Sequence, residues 1–244
     1  MEILAVIPSR YNSRRLPGKA LADIRGKPMI QWVWEAVNAT KSNNHTIIAT
    51  DDERIYNISE NFGAEVLLTS CNCQSGTDRV AEVLQRIEPF VKPDFVLNIQ
   101  GDEPLLTPTI LESFVEELRR CTAPSATIVA PANDLELADP ATVKVVIDRR
   151  GNALYFSRAA IPHIRDGSSA KVLKHIGIYA YRPDFLLEFA SMQPTPLELA
   201  ENLEQLRVLE NGYAMFCVEI PAAAVLTGVD TAQDLEKVRN SLLR

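Results

Sequence analysis

The first hundred or so residues alternate short, unbroken apolar runs with longer segments whose apolar positions recur at helical spacing. EILAVIP (2–8), HTIIAT (45–50), AEVLL (64–68) and DFVLNIQ (94–100) read as strands. A strand covered on both faces needs no polar alternation, so such runs point to parallel strands inside a sheet. The intervening segments predict helices. KPMIQWVWEAVNAT (27–40) has Pro28 in its first turn, and DDERIYNISENFG (51–63) is acidic at its start and stopped by Gly63. SGTDRVAEVLQRIEPF (75–90) opens with cap-type residues, and TPTILESFVEELRR (107–120) has Thr107 as cap before Pro108. Strand and helix in strict alternation predict an α/β fold, a Rossmann-like, mostly parallel sheet flanked by helices. Trp32 and Trp34 lie two apart on the first helix and cannot share a face, so one of them packs elsewhere, a subunit contact being one such place.

Beyond about residue 130 the pattern changes. TVKVVID (142–148) and ALYFSR (153–158) flank DRRGN (148–152) as a hairpin, and KHIGIYAY (174–181) is another strand-like run. Helices follow at PDFLLEFASM (183–192) and PLELAENLEQLRVLENG (196–212), then AMFCVEI (214–220) and a last helix, DTAQDLEKVRNSLL (230–243). There is no repeat, low-complexity tract or linker. The expectation is one domain over 1–244: a half over about 1–130, a β-hairpin/α insertion over about 131–225, and a return to the main sheet over 226–244.

Composition narrows the class. Hydrophobic residues make up 46% and charged residues 23%, an ordinary globular balance. A net charge of −7 argues against a nucleic-acid partner, because phosphate backbones are held by basic surfaces. No run approaches the roughly 18 apolar residues of a membrane span, and ILAVIP is too short for a leader. The four cysteines form no metal-binding spacing, and Cys71 and Cys73 are too close for a good disulfide, so reduced thiols in a cytoplasmic protein are expected.

Against that acidic background, PSRYNSRRLPGKALADIRGKP (8–28) crowds Arg10, Arg14, Arg15, Lys19, Arg25 and Lys27 around Gly18 and Gly26 directly after the first strand. Ligands of α/β sheets bind at the strands' carboxyl ends, where glycines admit close backbone approach and cations balance negative charge. Two phosphate-binding patterns fail. The Walker loop would need glycine at Ser13 and a hydroxyl at Ala20, and no two glycines have the spacing that a dinucleotide fingerprint requires. What remains is SRxxSxRLPGK, in which Arg10, Arg15 and Lys19 can converge on a polyphosphate. A solvated basic loop is the plainer alternative.

This opening stretch resembles the signature of sugar-activating nucleotidyltransferases, and its RLPGK core resembles the cytidylyltransferase branch. With ATDDERI, QSGTDRV, NIQGDEP, VKVVID, LYFSRAAIP, KHIGIYAYR, LEQLRVLENG and GVDT in that order, nearly the whole chain resembles the 3-deoxy-manno-octulosonate (Kdo) cytidylyltransferase family. The resemblance implies attack of the anomeric hydroxyl of Kdo on the α-phosphorus of CTP, giving CMP-Kdo and pyrophosphate for lipopolysaccharide-type glycans. It implies a nucleotide-binding first half, a sugar-binding and dimerisation second half, and a homodimer.

Such a displacement needs charge stabilised on attacking, leaving and equatorial oxygens, work suited to Mg²⁺. By the resemblance Asp102 and Asp230 hold that metal. Asp102 alone could be a turn residue before Glu-Pro, and Asp230 or Thr231 could simply cap the last helix. Pro8, Arg10, Ser13, Arg15 and Lys19 match positions that hold the nucleotide, with Ser75, Arg79 and Gln100 on the cytidine, although Arg79 could equally be a helix-face arginine. Lys144, Arg158, His175, Tyr179, Glu204 and Gln205 match positions around the sugar. Their bland counterparts are a solvent-facing strand lysine, a structural histidine, a core tyrosine and an exposed helical glutamate. No residue is an obvious general base. The short GSSAKVL connection (167–173), and His163 after Ile-Pro where an aromatic is common, depart from relatives and leave 8-amino-Kdo or another 2-keto sugar acid as acceptor. A module that binds CTP without turnover, and more distantly a dehydrogenase, are the competing classes.

Overall fold

The computed structural model describes residues 1–13, 15–87, 91–165 and 171–242. Arg14, the expected end of the third helix at 88–90, most of the GSSA connection (166–170) and Leu243 lie outside the described residues. The chain forms two compact units, residues 1–112 with 225–244 and residues 113–224.

The first unit runs β1 (Ile3–Ser9), the two-residue pair β2 (Asp23–Ile24) and β3 (Lys27–Pro28), α1 (Met29–Asn38), β4 (His45–Thr50), α2 (Glu53–Asn61), β5 (Glu65–Leu68), α3 (Gly76–Ile87) and β6 (Phe95–Ile99). Its strands are all parallel in the order β6-β1-β4-β5. Every residue of β1 and β6 is buried, as their unbroken apolar runs require. The helix starts follow the caps: Asp52 accepts from Arg54 N at 2.9 Å, and the Ser75 hydroxyl accepts from Asp78 N at 3.1 Å. Gly63, at φ 88°, ends α2 in the left-handed region. Trp32 packs into the cluster of Ile24, Met29, Val229, Leu235 and Val238 and donates to Ile24 O at 2.9 Å, whereas Trp34 meets Phe62. The two indoles do occupy different faces.

The order of these strands positions the site. From central β1 the chain steps outward to β4 and β5, then returns to β6 on the other side of β1. Beyond the carboxyl ends of β1 and β6 the connections diverge, and this switch point is where open α/β sheets bind ligands.

The division between units falls within α4 (Pro108–Leu118) rather than near residue 130. The second unit continues with β7 (Ser125–Pro131), α5 (Asp134–Ala138), β8 (Lys144–Ile147), β9 (Ala153–Ser157), β10 (Leu173–Tyr181), α6 (Pro183–Ser191), α7 (Pro196–Glu201), α8 (Gln205–Glu210) and β11 (Met215–Glu219). Here β11 runs parallel to β7, while β7, β10, β8 and β9 are successively antiparallel. β8 and β9 are the expected hairpin. In its turn Asp148 Oδ1 accepts from the backbone of Arg150 and of Asn152, each at 2.8 Å, and Gly151 takes φ 85°. The chain then re-enters the first unit and ends in α9 (Ala232–Ser241), whose N-cap is Thr231.

Two expectations need correction here. Strand β7 and helix α5 were not anticipated from the sequence. The single helix over 196–212 is two, broken where Asn202 adopts φ 53° and its N–H closes α7 on Glu198 O. Leucine spacing runs straight through the break, so periodicity does not reveal it.

Candidate active site

At the switch point, Gln100, Gly101 and Asp102 leave β6 beside the end of β1, and α3 begins close by. A methyl group on Gly76 would lie 3.4 Å from Pro8 and 3.7 Å from the Gln100 amide, and one on Gly101 would lie 2.9 Å from the Ile30 side chain. Pro8 and Gln100 thereby flank Gly76, the residue that follows Ser75. Gln100 Nε2 donates to Asn98 Oδ1 at 3.0 Å. The opening loop folds back on itself: Gly18 N donates to Tyr11 O at 2.8 Å, and at φ 70° a side chain there would press on the Tyr11 ring at 3.1 Å. That ring also carries the Arg54 guanidinium, 3.3 Å from its centroid.

Four residues from three distant segments meet next to this loop. Lys19 Nζ donates to Asp102 Oδ2, to Asp230 Oδ1 at 3.1 Å and to Val229 O at 3.1 Å, and Arg15 Nη2 pairs with Asp230 Oδ2 at 2.7 Å. The backbone builds this arrangement. Val229 N donates to Asp102 O at 2.9 Å, the Val229 side chain is buried among Ile24, Met29, Leu235 and Val238, and Thr231 takes the capping role on α9. Asp230 is therefore held between an anchored valine and a helix cap, free of cap duty itself. Burial opposes the charged form of Lys19, but the charges and hydrogen bonds of Asp102 and then Asp230 outweigh it and hold the ammonium above its ordinary range. Two carboxylates with two cations make the cluster formally neutral.

The donor set suits a hard divalent cation. Both carboxylates reach one positive centre, and Mg²⁺ takes one or two carboxylates together with phosphate oxygens and water. Among the described residues no group of three or more metal-binding side chains occurs, so the substrate would have to complete the coordination.

The remaining residues on the nucleotide side divide. Arg10 is exposed at the end of β1, and Ser13 N closes a turn onto Tyr11 O at 2.9 Å. Arg79 is not the helix-face arginine that the sequence allowed. It is 3% exposed, pairs with Asp51 at 2.9 Å and donates to the Thr69 hydroxyl, tying α3 to the ends of β4 and β5.

In the second unit, Lys144 is fully buried rather than on a solvent face, and burial lowers its basicity. Its ammonium donates to the carbonyls of Asp139 at 2.8 Å, Thr142 at 2.6 Å and Arg158 at 2.6 Å. Arg158 likewise spends its guanidinium on carbonyls, those of Glu201 at 2.8 Å, Pro140 at 3.1 Å and Asn202 at 3.4 Å. Glu201 accepts from the Ser157 hydroxyl at 2.6 Å and Arg158 N at 3.0 Å. Further along β10, the His175 ring lies between Phe156 and Tyr179, and Tyr179 Oη donates to Gln205 Oε1 at 3.4 Å. Gln205 is 3% exposed, and its Nε2 has no hydrogen-bond partner among the described residues. Glu204 precedes α8 as its N-cap residue instead of standing on an exposed helix face, and Arg207 lies 3.8 Å from it. Burial and then the Glu204 charge push the Tyr179 phenol well above its usual range.

Comparison with known proteins fits this geometry. A family model described as cytidylyltransferase matches residues 4–220. The 3-deoxy-manno-octulosonate cytidylyltransferase of Synechococcus elongatus is 48% identical over 242 residues, covering 97% of this chain and 96% of that protein. That of Geobacter metallireducens is 46% identical over 257 residues, with 100% and 99% covered. The chain belongs to the 3-deoxy-manno-octulosonate cytidylyltransferase family. Among solved structures, a CMP:2-keto-3-deoxy-manno-octonic acid synthetase complexed with CTP superposes with a TM-score of 0.92 at 41% identity, covering 100% of this chain and 99% of that one. The mixed, mostly parallel α/β sheet expected from the sequence is the architecture of that synthetase.

Two residues of this family member escaped the sequence reading. Glu201, which joins α7 to β9, carried no motif, and Glu198 was lost among the leucines of α7. Glu198 and Arg207 form a buried, two-pronged ion pair, Nε to Oε2 at 2.7 Å and Nη2 to Oε1, and each residue is 8% exposed. Glu198→Ala leaves that guanidinium buried without its carboxylate. It is expected to cost about 3–5 kcal/mol in urea unfolding, and a loss below about 1 kcal/mol would show that the pair does not hold α7 to α8.

His175 gives a prediction for acid. Burial pushes its imidazole down to about 3. An unfolded chain takes up that proton at about pH 6.5 and the native protein does not, so this residue makes stability fall as pH drops from about 6.5 towards 3. NMR titration of the native protein is expected to show no His175 transition above about pH 5.

Proposed function

We propose that this protein transfers CMP from CTP to the anomeric hydroxyl of Kdo, releasing pyrophosphate and supplying CMP-Kdo for lipopolysaccharide-type glycans. The observation that carries this reading is the convergence of Lys19 and Arg15 on Asp102 and Asp230 at the sheet's switch point. Family membership supports it, as does the likeness to a synthetase whose structure holds CTP.

In this reading Pro8, Ser13, Ser75, Arg79 and Gln100 hold the cytidine and the start of the phosphate chain, and Arg10, Arg15 and Lys19 take the triphosphate. The cations then neutralise charge that accumulates on the departing pyrophosphate. Asp102 and Asp230 hold Mg²⁺, which supplies Lewis-acid polarisation and lets the sugar carboxylate and the phosphate approach without repulsion. His175, Tyr179, Glu204 and Gln205 meet the hydroxyls of the sugar acid. Lys144 and Arg158 contribute by fixing the backbone of the sugar side, since their charged ends are committed to carbonyls. No helix among the described residues is long and apolar enough to cross a membrane. The reading includes a cytoplasmic homodimer, for which exposed Leu154, Leu197 and Leu199 of the second unit supply apolar surface.

The test is pyrophosphate release over a panel of nucleoside triphosphates crossed with Kdo, 8-amino-Kdo and other 2-keto sugar acids, with Mg²⁺ present or chelated. CTP with Kdo and Mg²⁺ is expected to lead. Binding of CTP without release for any acid would leave only a nucleotide-binding module, and a lead for 8-amino-Kdo would move the acceptor.

A further inference from the structure

Thr127 lies on β7, fully buried, opposite the irregular stretch of β10 where the register shifts between Ile176 and Tyr179. Its hydroxyl oxygen has three near neighbours: His175 Nε2 at 2.9 Å, Ile178 O at 2.9 Å and Ile176 O at 3.3 Å. A hydroxyl has one hydrogen and the carbonyls have none. If Thr127 donated to the imidazole, its lone pairs would face a carbonyl oxygen at 2.9 Å with nothing between them. The arrangement closes only if Thr127 donates to Ile178 O and receives the Nε2 proton of His175. That places a proton on Nε2, and since burial keeps the ring neutral, Nδ1 keeps its lone pair.

We propose that Thr127 is a positioning residue that sets the His175 tautomer, so that His175 presents an acceptor, Nδ1, to a hydroxyl of the sugar substrate. This rests on the functional reading above for the identity of the ligand, but not for the tautomer itself. The neighbouring chemistry is complementary. The His175 ring lies 5.3 Å from that of Tyr179, tilted against it, and the Tyr179 hydroxyl occupies Gln205 Oε1, while the buried Gln205 Nε2 remains an unused donor. One acceptor and one donor along a single row of side chains suit a polyhydroxylated ligand, whose hydroxyls each give and take a hydrogen. They suit a carboxylate less well, because it cannot donate to Nδ1. Thr127 was not among the residues singled out from the sequence: SATIVAP carries no motif, and the role arises from a strand pairing rather than from a spacing.

The experiment combines long-range ¹H–¹⁵N correlation spectra of the three histidines with kinetics of wild type, Thr127→Ser and Thr127→Val. Wild type and Thr127→Ser are expected to show His175 protonated on Nε2 with a bare Nδ1, and Thr127→Val to show a mixed or reversed tautomer. KM for Kdo should rise about tenfold in Thr127→Val, the scale of one hydrogen bond lost in a dry site, with Thr127→Ser close to wild type and KM for CTP within about twofold throughout. A wild-type ring protonated on Nδ1, an unchanged tautomer in Thr127→Val, or a changed tautomer with unchanged KM for Kdo would each overturn the proposal. If Kdo proves not to be a substrate, the functional reading fails while the spectra still decide whether Thr127 sets the tautomer.

Discussion

Asp102→Asn is expected to lower turnover about a thousandfold or more while leaving CTP affinity within about tenfold. The substitution keeps size and shape but removes one of the two carboxylates that meet at Lys19. In the proposed reading, nucleotide binding draws on many contacts, including Pro8, Gln100 and the cations of the opening loop. Stabilisation of the displacement depends on charge held at one place, where loss of a single group typically costs two to three powers of ten, and a metal ligand more. Pyrophosphate release under single-turnover conditions gives the first quantity and calorimetric titration with CTP the second. Turnover within tenfold of wild type would remove Asp102 from the proposed metal site. Turnover and affinity falling together would place it on the nucleotide instead.

Lys19→Ala is expected to weaken CTP about thirtyfold and CMP less than about threefold. The ammonium is only partly exposed, at 16%, so the proposed contact with an incoming phosphate is a charged hydrogen bond shielded from bulk water, worth about 2 kcal/mol. CMP lacks the outer phosphates and forgoes that contact. Equal losses for the two nucleotides would place Lys19 beside the α-phosphate or the base. The comparison is internally controlled, because any general damage to the first unit weakens both ligands alike.

Much of the first unit was legible because its physics is local. β1, β4 and β6 are buried on both faces and so read as apolar runs, and Asp52, Ser75 and Thr107 stand where helix caps belong. The second unit was less so. β7 begins Ser-Ala-Thr, residues that suggest a surface turn but are buried here because Ser125 bonds to Ala214 O and Thr127 to β10. The kink at Asn202 depends on a left-handed residue amid unbroken leucine spacing.

The site divides in the same way. The basic loop at a strand end is visible from spacing and charge alone, whereas Asp102 and Asp230, 128 positions apart by their residue numbers, were tied to it through family resemblance. Physical proximity comes from contacts that no linear pattern encodes, chiefly the backbone bond from Val229 to Asp102. Lys144 and Arg158 show the opposite limit. The resemblance placed them around the sugar, while their charged ends are satisfied by carbonyls whose positions depend on how the chain turns between Asp139 and Thr142 and after Glu201.

The neutrality of the Arg15–Lys19–Asp102–Asp230 cluster makes loading an exchange of partners. A triphosphate that draws Lys19 and Arg15 away strands two acidic groups, and a divalent ion that captures those groups releases two cations with nothing to hold. Each newcomer supplies what the other's arrival leaves wanting, so nucleotide and metal should favour one another's binding by the same factor, and either alone should find the vacant enzyme a reluctant host.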